Sequence, residues 1–176
     1  LSQQGSLPYR PETFKFYYVA EEVRRIFSNT ASSKKIELHI EVSKDIELYA
    51  DRDGIFALTR NLINNAIKFT REKGTVSLQA NKEGDFVKVT ISDTGIGIQK
   101  DKIDDLFVFD KQKSTKGTAG EKGSGLGLAL CKDIVELNGG EIVVESSEGM
   151  GTKFNILLPA REQALSKESN KSLQNM

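Results

Sequence analysis

The chain has 176 residues, enough for one ordinary domain with a real core and hardly enough for two. Its 25 Lys and Arg balance 25 Asp and Glu, which leaves no electrostatic case for binding nucleic acid or for direct contact with an anionic membrane surface. The lone Cys131 excludes disulfides and cysteine-based zinc sites and fits a reducing cytoplasm; no apolar run approaches a membrane span, and residues 1–8 lack a signal-peptide pattern.

Residues 1–12 hold two of the three prolines with several Gln and Ser, and read as a linker or the end of a preceding helix. A short strand is expected over residues 13–16. Over 17–28, Val19, Val23, Ile26 and Phe27 share one helical face. Residues 36–42 alternate strictly, the period-2 signature of a half-buried strand, and a second short strand follows at 46–50. Asp51 is placed to cap a long helix running to about Thr70. Alternating runs at 75–80 and 86–93 flank a polar turn at 81–85 and read as a hairpin.

From 94 to about 123 the chain is rich in Gly, Lys, Ser and Thr, with one apolar patch at 103–109. A segment of that length is usually functional or disordered. A helix over 124–138 stops at Gly139-Gly140, and strands at 141–145 and 153–158 are joined by a turn at 149–151. Residues 161–176 have few apolar side chains and are expected to be a disordered tail or linker. Hairpin-joined strands with helices in blocks predict an α+β fold, a two-layer α/β sandwich with one helical layer, occupying 13–160. The opening without Met and the polar ending are those expected of a piece of a longer protein.

Three features carry chemistry. Asn61, Asn65 and Lys68 follow i, i+4, i+7 spacing and stack on one narrow helical face beside the apolar stripe of Ile55, Leu58, Leu62, Ala66 and Phe69. Two carboxamides can hold hydrated Mg²⁺ and phosphate oxygens, with positive charge from Lys68; a solvated helix face is the bland alternative. Asp93 shares a strand face with Val87, Val89 and Ile91, so its carboxylate points towards the core. There it needs a hydrogen-bond donor, such as the exocyclic amine of adenine, and Gly95 and Gly97 let the backbone approach a flat base; an Asp-capped turn is the alternative. Gly123-Ser124-Gly125-Leu126-Gly127-Leu128 runs into a helix, where exposed N–H groups and the helix dipole favour phosphate. The preceding Lys111, Lys113, Lys116 and Lys122 would cover phosphates, unless they form only a charged, solvated loop. No P-loop pattern occurs.

The order of these features resembles a known family. Asn61-Leu62-Ile63-Asn64-Asn65-Ala66-Ile67-Lys68-Phe69-Thr70 is similar to the N box of sensor histidine kinases, and Asp93-Thr94-Gly95-Ile96-Gly97 to their G1 box. Residues 123–128 resemble their G2 box, and Gly149-Met150-Gly151-Thr152-Lys153-Phe154 with Leu158-Pro159 their final hairpin. The resemblance covers about 13–160 and implies the Bergerat fold of gyrase, Hsp90 and MutL: a mixed, mostly antiparallel sheet backed by three helices, with a flexible ATP lid. It implies ATP and Mg²⁺ as cofactors. Carried over, Asn65 would hold Mg²⁺, Asn61 would assist near the phosphates and Lys68 would contact them. Phe69 would lie near the nucleotide, and Asp93 would accept from adenine with support from Thr152. Gly95, Gly97 and Ile98 would line the base, while Lys122, Gly123, Ser124, Gly125, Leu126, Gly127 and Leu128 would surround the phosphates. Phe107 matches the F box, but Asp110 stands where its second aromatic is usual.

ATP-hydrolysing relatives carry a general-base Glu four residues before the metal Asn; Asn61 stands there and cannot take a proton, which fits transfer to another acceptor. The family's phosphoacceptor His sits on a helix, whereas His39, the only His, lies in an alternating strand. The resemblance therefore implies a histidine kinase catalytic domain that binds ATP but needs a separate helical dimerisation and phosphoacceptor domain of the same protein, with a response regulator receiver domain downstream. Its parent would sit at the cytoplasmic side of a bacterial inner membrane. A serine-kinase relative of anti-sigma type, or a nucleotide-sensing scaffold without transfer, is the alternative.

Overall fold

The computed structural model describes residues 8–108, 117–120 and 127–165. Within them the order is β1 (Pro11–Lys15), α1 (Phe16–Ser33), β2 (Glu37–Glu41), β3 (Glu47–Asp51), α2 (Arg52–Phe69), β4 (Thr75–Glu83), β5 (Phe86–Asp93), α3 (Lys100–Ile103), α4 (Gly127–Leu137), β6 (Glu141–Ser146) and β7 (Thr152–Pro159). Five strands form one sheet in the order β2-β4-β5-β7-β6, in which only β2 and β4 run parallel. β1 and β3 make a separate antiparallel pair. The fold is the expected α+β sandwich, with α1, α2 and α4 layered on one sheet face.

Period-2 alternation decides which sheet face is dry. Val76, Leu78 and Ala80 of β4, Val87, Val89 and Ile91 of β5, and Phe154, Ile156 and Leu158 of β7 are all buried beneath the helices. Apart from Leu157, most of their neighbours on the other face are polar and bond across strands, as in Ser77 Oγ to Ser92 Oγ at 2.7 Å and Thr90 Oγ1 to Asn155 Oδ1 at 3.2 Å. His39 belongs to that face, on strand β2, with Nε2 3.3 Å from Glu37 Oε2.

Several boundaries differ from the sequence expectation. α1 runs to Ser33, well past residue 28, and Ile26 is 46% exposed although it was expected on the buried face. The buried arc is set by Phe16, Val19, Ala20, Val23, Phe27 and Ala31, and Ile26 falls just outside it. The hairpin turn shrinks from five residues to Gly84-Asp85, because Glu83 pairs with Phe86 and Gly84 takes a left-handed φ of 62°. The short helix α3 was not anticipated. Ala164, within the expected tail, is fully buried, so packing continues past Pro159.

Asp51 ties three elements together. Its Oδ1 accepts from Gly54 N–H at 2.8 Å, capping α2 as expected, and its Oδ2 accepts from Arg10 N–H at 2.8 Å. Its own N–H donates to Oδ1 of buried Asn138, just beyond α4, at 2.7 Å. Asp51→Ala is expected to remove about 1 kcal/mol and lower the melting temperature by about 2–4 °C, read by thermal unfolding. An unchanged melting temperature would show that the cap contributes nothing.

Candidate nucleotide site

The site begins with how α2 ends. The last four carbonyls of a helix have no partner within it. In α2 Ala66 O accepts from Oγ1 of the cap residue Thr70 at 2.7 Å, while more distant groups take the rest: Ile67 O accepts from Lys34 Nζ at 2.9 Å and Phe69 O from Ile96 N–H at 3.1 Å. Lys68 O accepts from Lys34 Nζ at 2.9 Å, from Thr118 N–H at 3.0 Å and from Thr118 Oγ1 at 3.2 Å. The cation of Lys34 also complements the negative end of the helix dipole. This junction fixes the rotation of α2 and with it the directions of Asn61, Asn65 and Lys68. Asn61 and Asn65 are half-buried at the rim, whereas Lys68 is deeper than its spacing implied, with Nζ 4.9 Å from the centre of the Phe69 ring.

The G1 turn is locked to that helix end. A Cβ on Gly95 would overlap Phe69 O, and one on Gly97, whose φ is 69°, would overlap Ser147 O. Ile98 N–H donates to Ser146 Oγ at 2.9 Å and Gly149 N–H to Ile96 O at 2.7 Å, so the β6–β7 turn holds the G1 turn from its other side.

Asp93 ends β5 directly opposite Thr152 of β7. Both line a cleft of about 300 Å³ with Ser146, Met150 and Gly151. Burial raises the Asp93 carboxyl to about 6, against the opposing pull of hydrogen bonds from the Gly95 and Thr152 backbone. Its Oδ1 accepts from Gly95 N–H at 2.8 Å. A carboxylate in that setting gains from any further donor a ligand supplies. A larger cleft, about 730 Å³, lies between α3 and β6 and contains none of the expected site residues.

The other end of the site forms where α4 starts. A Cβ on Gly127 would stand 3.9 Å from Asn61 Cγ and 4.0 Å from Asn65 Nδ2, so the first turn of α4 lies against both carboxamides. Leu128 packs on the core. Phe107 also packs inward, its ring 6.4 Å from that of Phe154 in an edge-on arrangement. Lys122, Gly123, Ser124, Gly125 and Leu126, the lysines Lys111, Lys113 and Lys116, and most of the expected lid lie outside the described residues.

Among the described residues no cluster of three His, Cys, Asp or Glu side chains could hold a metal ion. A Mg²⁺ here would draw on the Asn65 amide oxygen, phosphate oxygens and water, a donor set that suits a hard ion which keeps much of its hydration. Spacing could not reveal Lys34, Thr118 or Ser146: each acts on the site from a distant stretch of chain and falls in no motif.

A helix bearing two carboxamides, an acceptor carboxylate on a neighbouring strand and a glycine-led helix start define a nucleotide-binding class of site. The family model of histidine kinase-, DNA gyrase B- and HSP90-like ATPases matches residues 50–162, more than half of the chain. The autoinducer 2 sensor kinase/phosphatase LuxQ of Vibrio parahaemolyticus is 34% identical over 169 residues, which cover 92% of this chain and 20% of that relative. The catalytic domain of histidine kinase ThkA superposes with a TM-score of 0.74 at 27% identity, covering 86% of this chain and 96% of that one. Full-length ShkA, solved with AMPPNP, gives 0.73 at 27% identity over 88% of this chain and 32% of its own. The chain belongs to the histidine kinase-, DNA gyrase B- and HSP90-like ATPase family. Within it, this is a catalytic ATP-binding domain of the sensor histidine kinase type, spanning about a fifth of the length of the LuxQ relative.

The raised Asp93 makes a signed prediction. Its folded pKa of about 6 exceeds the ordinary 3.8, so the folded state binds the proton more tightly, and Asp93 favours folding most below pH 4. That contribution is lost as pH rises through 6. Asp93→Asn, which keeps an acceptor for Gly95 N–H, should therefore melt a few degrees above the wild type at pH 7.5 without nucleotide. The gap should close towards pH 4; a constant gap would place its cause elsewhere. Separately, Lys34→Met should remove roughly 1.5–3 kcal/mol by leaving α2 carbonyls without their cation, measured by denaturant unfolding.

Proposed function

We propose that this chain binds Mg-ATP along α2 and donates its γ-phosphoryl group to a histidine on a separate helical dimerisation and phosphoacceptor domain of the parent protein. The observation that carries this reading is the position of Gly127 against Asn61 and Asn65, one to two turns back along the same helix from the Gly95 contact with Phe69. A base at Asp93 and phosphates at α4 are then held by a single rigid element.

In this reading Asp93 accepts from the adenine amino group, Thr152 supports that contact, and Gly95, Gly97 and Ile98 give the ring a close backbone wall. Asn61, Asn65 and Lys68 orient the phosphates, with the N-terminal N–H groups of α4 adding donors. Bound Mg²⁺ would neutralise phosphate charge as the group transfers. A carboxamide at position 61 cannot take a proton from water, so hydrolysis lacks a base and an external acceptor is favoured. His39 sits on strand β2 and is no such acceptor, so the chain alone would bind ATP without completing autophosphorylation. The phosphoryl group would pass on to the receiver domain of a response regulator. No helix of the described residues is long and apolar enough to cross a membrane, and cytoplasmic placement beneath an inner membrane fits the parent.

Thermal unfolding with and without Mg-ATP tests the binding step. Nucleotide at about a hundred times its dissociation constant should stabilise the wild type by roughly 2.7 kcal/mol, and Asp93→Asn should lose that shift. Mixing the chain with the acceptor domain and labelled ATP should then give acid-labile phosphohistidine. An acid-stable product would mean a serine kinase, and binding without transfer would mean a nucleotide sensor.

A further inference from the structure

This inference rests on the ATP reading above and concerns Ser146, the last residue of β6, which no motif includes. Its hydroxyl stands 2.7 Å from Gly151 O, 2.9 Å from Thr152 Oγ1 and 2.9 Å from Ile98 N. A serine hydroxyl has one hydrogen and two lone-pair sites. Gly151 O has no hydrogen to give, so Ser146 must donate there. Ile98 N–H can only donate, so it occupies one lone pair. What is left on Ser146 is a single lone pair, and the contact with Thr152 is a hydrogen bond only if Thr152 donates.

The hydrogen of Thr152 is thus committed within the protein, and its oxygen can turn only lone pairs towards the cleft. Asp93 lies directly across from it on β5 and, when ionised, has no hydrogen either. The two side chains form an edge that accepts and does not donate. A 6-amino purine presents N–H donors to such an edge. A 6-oxo purine presents a carbonyl oxygen there, facing lone pairs with no hydrogen between them.

We propose that Ser146 is a positioning residue that sets base specificity: by holding the Thr152 hydrogen, it makes the Asp93–Thr152 edge select adenine and reject 6-oxo purines. Without Ser146 the Thr152 hydroxyl is free to rotate and donate to a 6-oxo group. Sites built around fixed hydrogen bonds discriminate strongly because a mismatched group leaves buried partners unpaired.

The test is calorimetric titration of the whole 176-residue chain with Mg-ATP and with Mg-GTP, reading the ratio of the two dissociation constants. The wild type should favour ATP by a large factor. Ser146→Ala should cut that preference by about tenfold, whatever it does to overall affinity. Ser146→Cys, which keeps the volume but accepts weakly, should act in the same direction, and Ser146→Thr should keep the wild-type ratio. Equal weakening of both nucleotides in Ala and Cys variants that melt cooperatively would show a merely structural role and overturn the proposal. A wild type that binds both nucleotides alike would overturn it too, while leaving nucleotide binding intact. No nucleotide binding by the wild type would instead remove the ATP reading and this inference with it.

Discussion

The arrangement depends on one constraint: the last carbonyl groups of α2 have no partner within the helix and are met by donors from outside it. Here the donors come from Lys34 after α1, from the cap residue Thr70, from the G1 turn and from Thr118. That requirement draws four stretches of chain to one point. The same helix carries Asn61, Asn65 and Lys68, so satisfying its backbone also aims the side chains proposed to meet the nucleotide. The opposite end of α2 is fixed by Asp51, whose bonds reach Arg10, just before β1, and the residue that follows α4. Clamped at both ends, α2 would, under the proposed function, fix the spacing between base and phosphate.

The second consequence lies at the sheet edge of the site. Asp93 and Thr152 face one another because β5 and β7 pair in register from Phe86–Pro159 to Asp93–Thr152. A slip of one residue in either strand would turn its member of the pair to the solvent face. The close approaches at Gly95, Gly97 and Gly151 leave no space for a side chain, so the turns around Asp93 can be closed only by glycine. Register and glycine placement therefore decide the chemistry here before any ligand arrives.

Much of this was legible in the sequence because the signals are local. Alternation marks β2, β4 and β5, the Asp51 cap marks the start of α2, and Gly139 with its φ of 70° marks the end of α4. The α+β class followed from element order alone. What escaped was non-local. Ser146 and Ile98 are 48 residues apart, and Lys34 and Lys68 are 34 apart, so no window of sequence shows either contact. Ile26 was misassigned because the buried arc of α1 is decided by where α2 and β2 lie, which its own periodicity cannot state. Lys68 was assigned to a rim by helical spacing, yet tertiary packing buries it.

Asp93 shows why the site and the stability of the fold pull in different directions. A carboxylate whose pKa is raised to about 6 by burial is a liability to the empty protein at neutral pH. An asparagine there would relieve it, and would still satisfy Gly95. The carboxylate earns its place only when a ligand brings a donor to it, since the desolvation has then already been met and the new bond is charge-assisted. Under the proposal above, Thr152 would stand beside it as an acceptor, its hydrogen directed to Ser146. Gly95 and the Thr152 backbone occupy only part of the carboxylate's acceptor capacity, so a partly buried carboxylate with capacity left over is what a ligand donor would meet in this cleft.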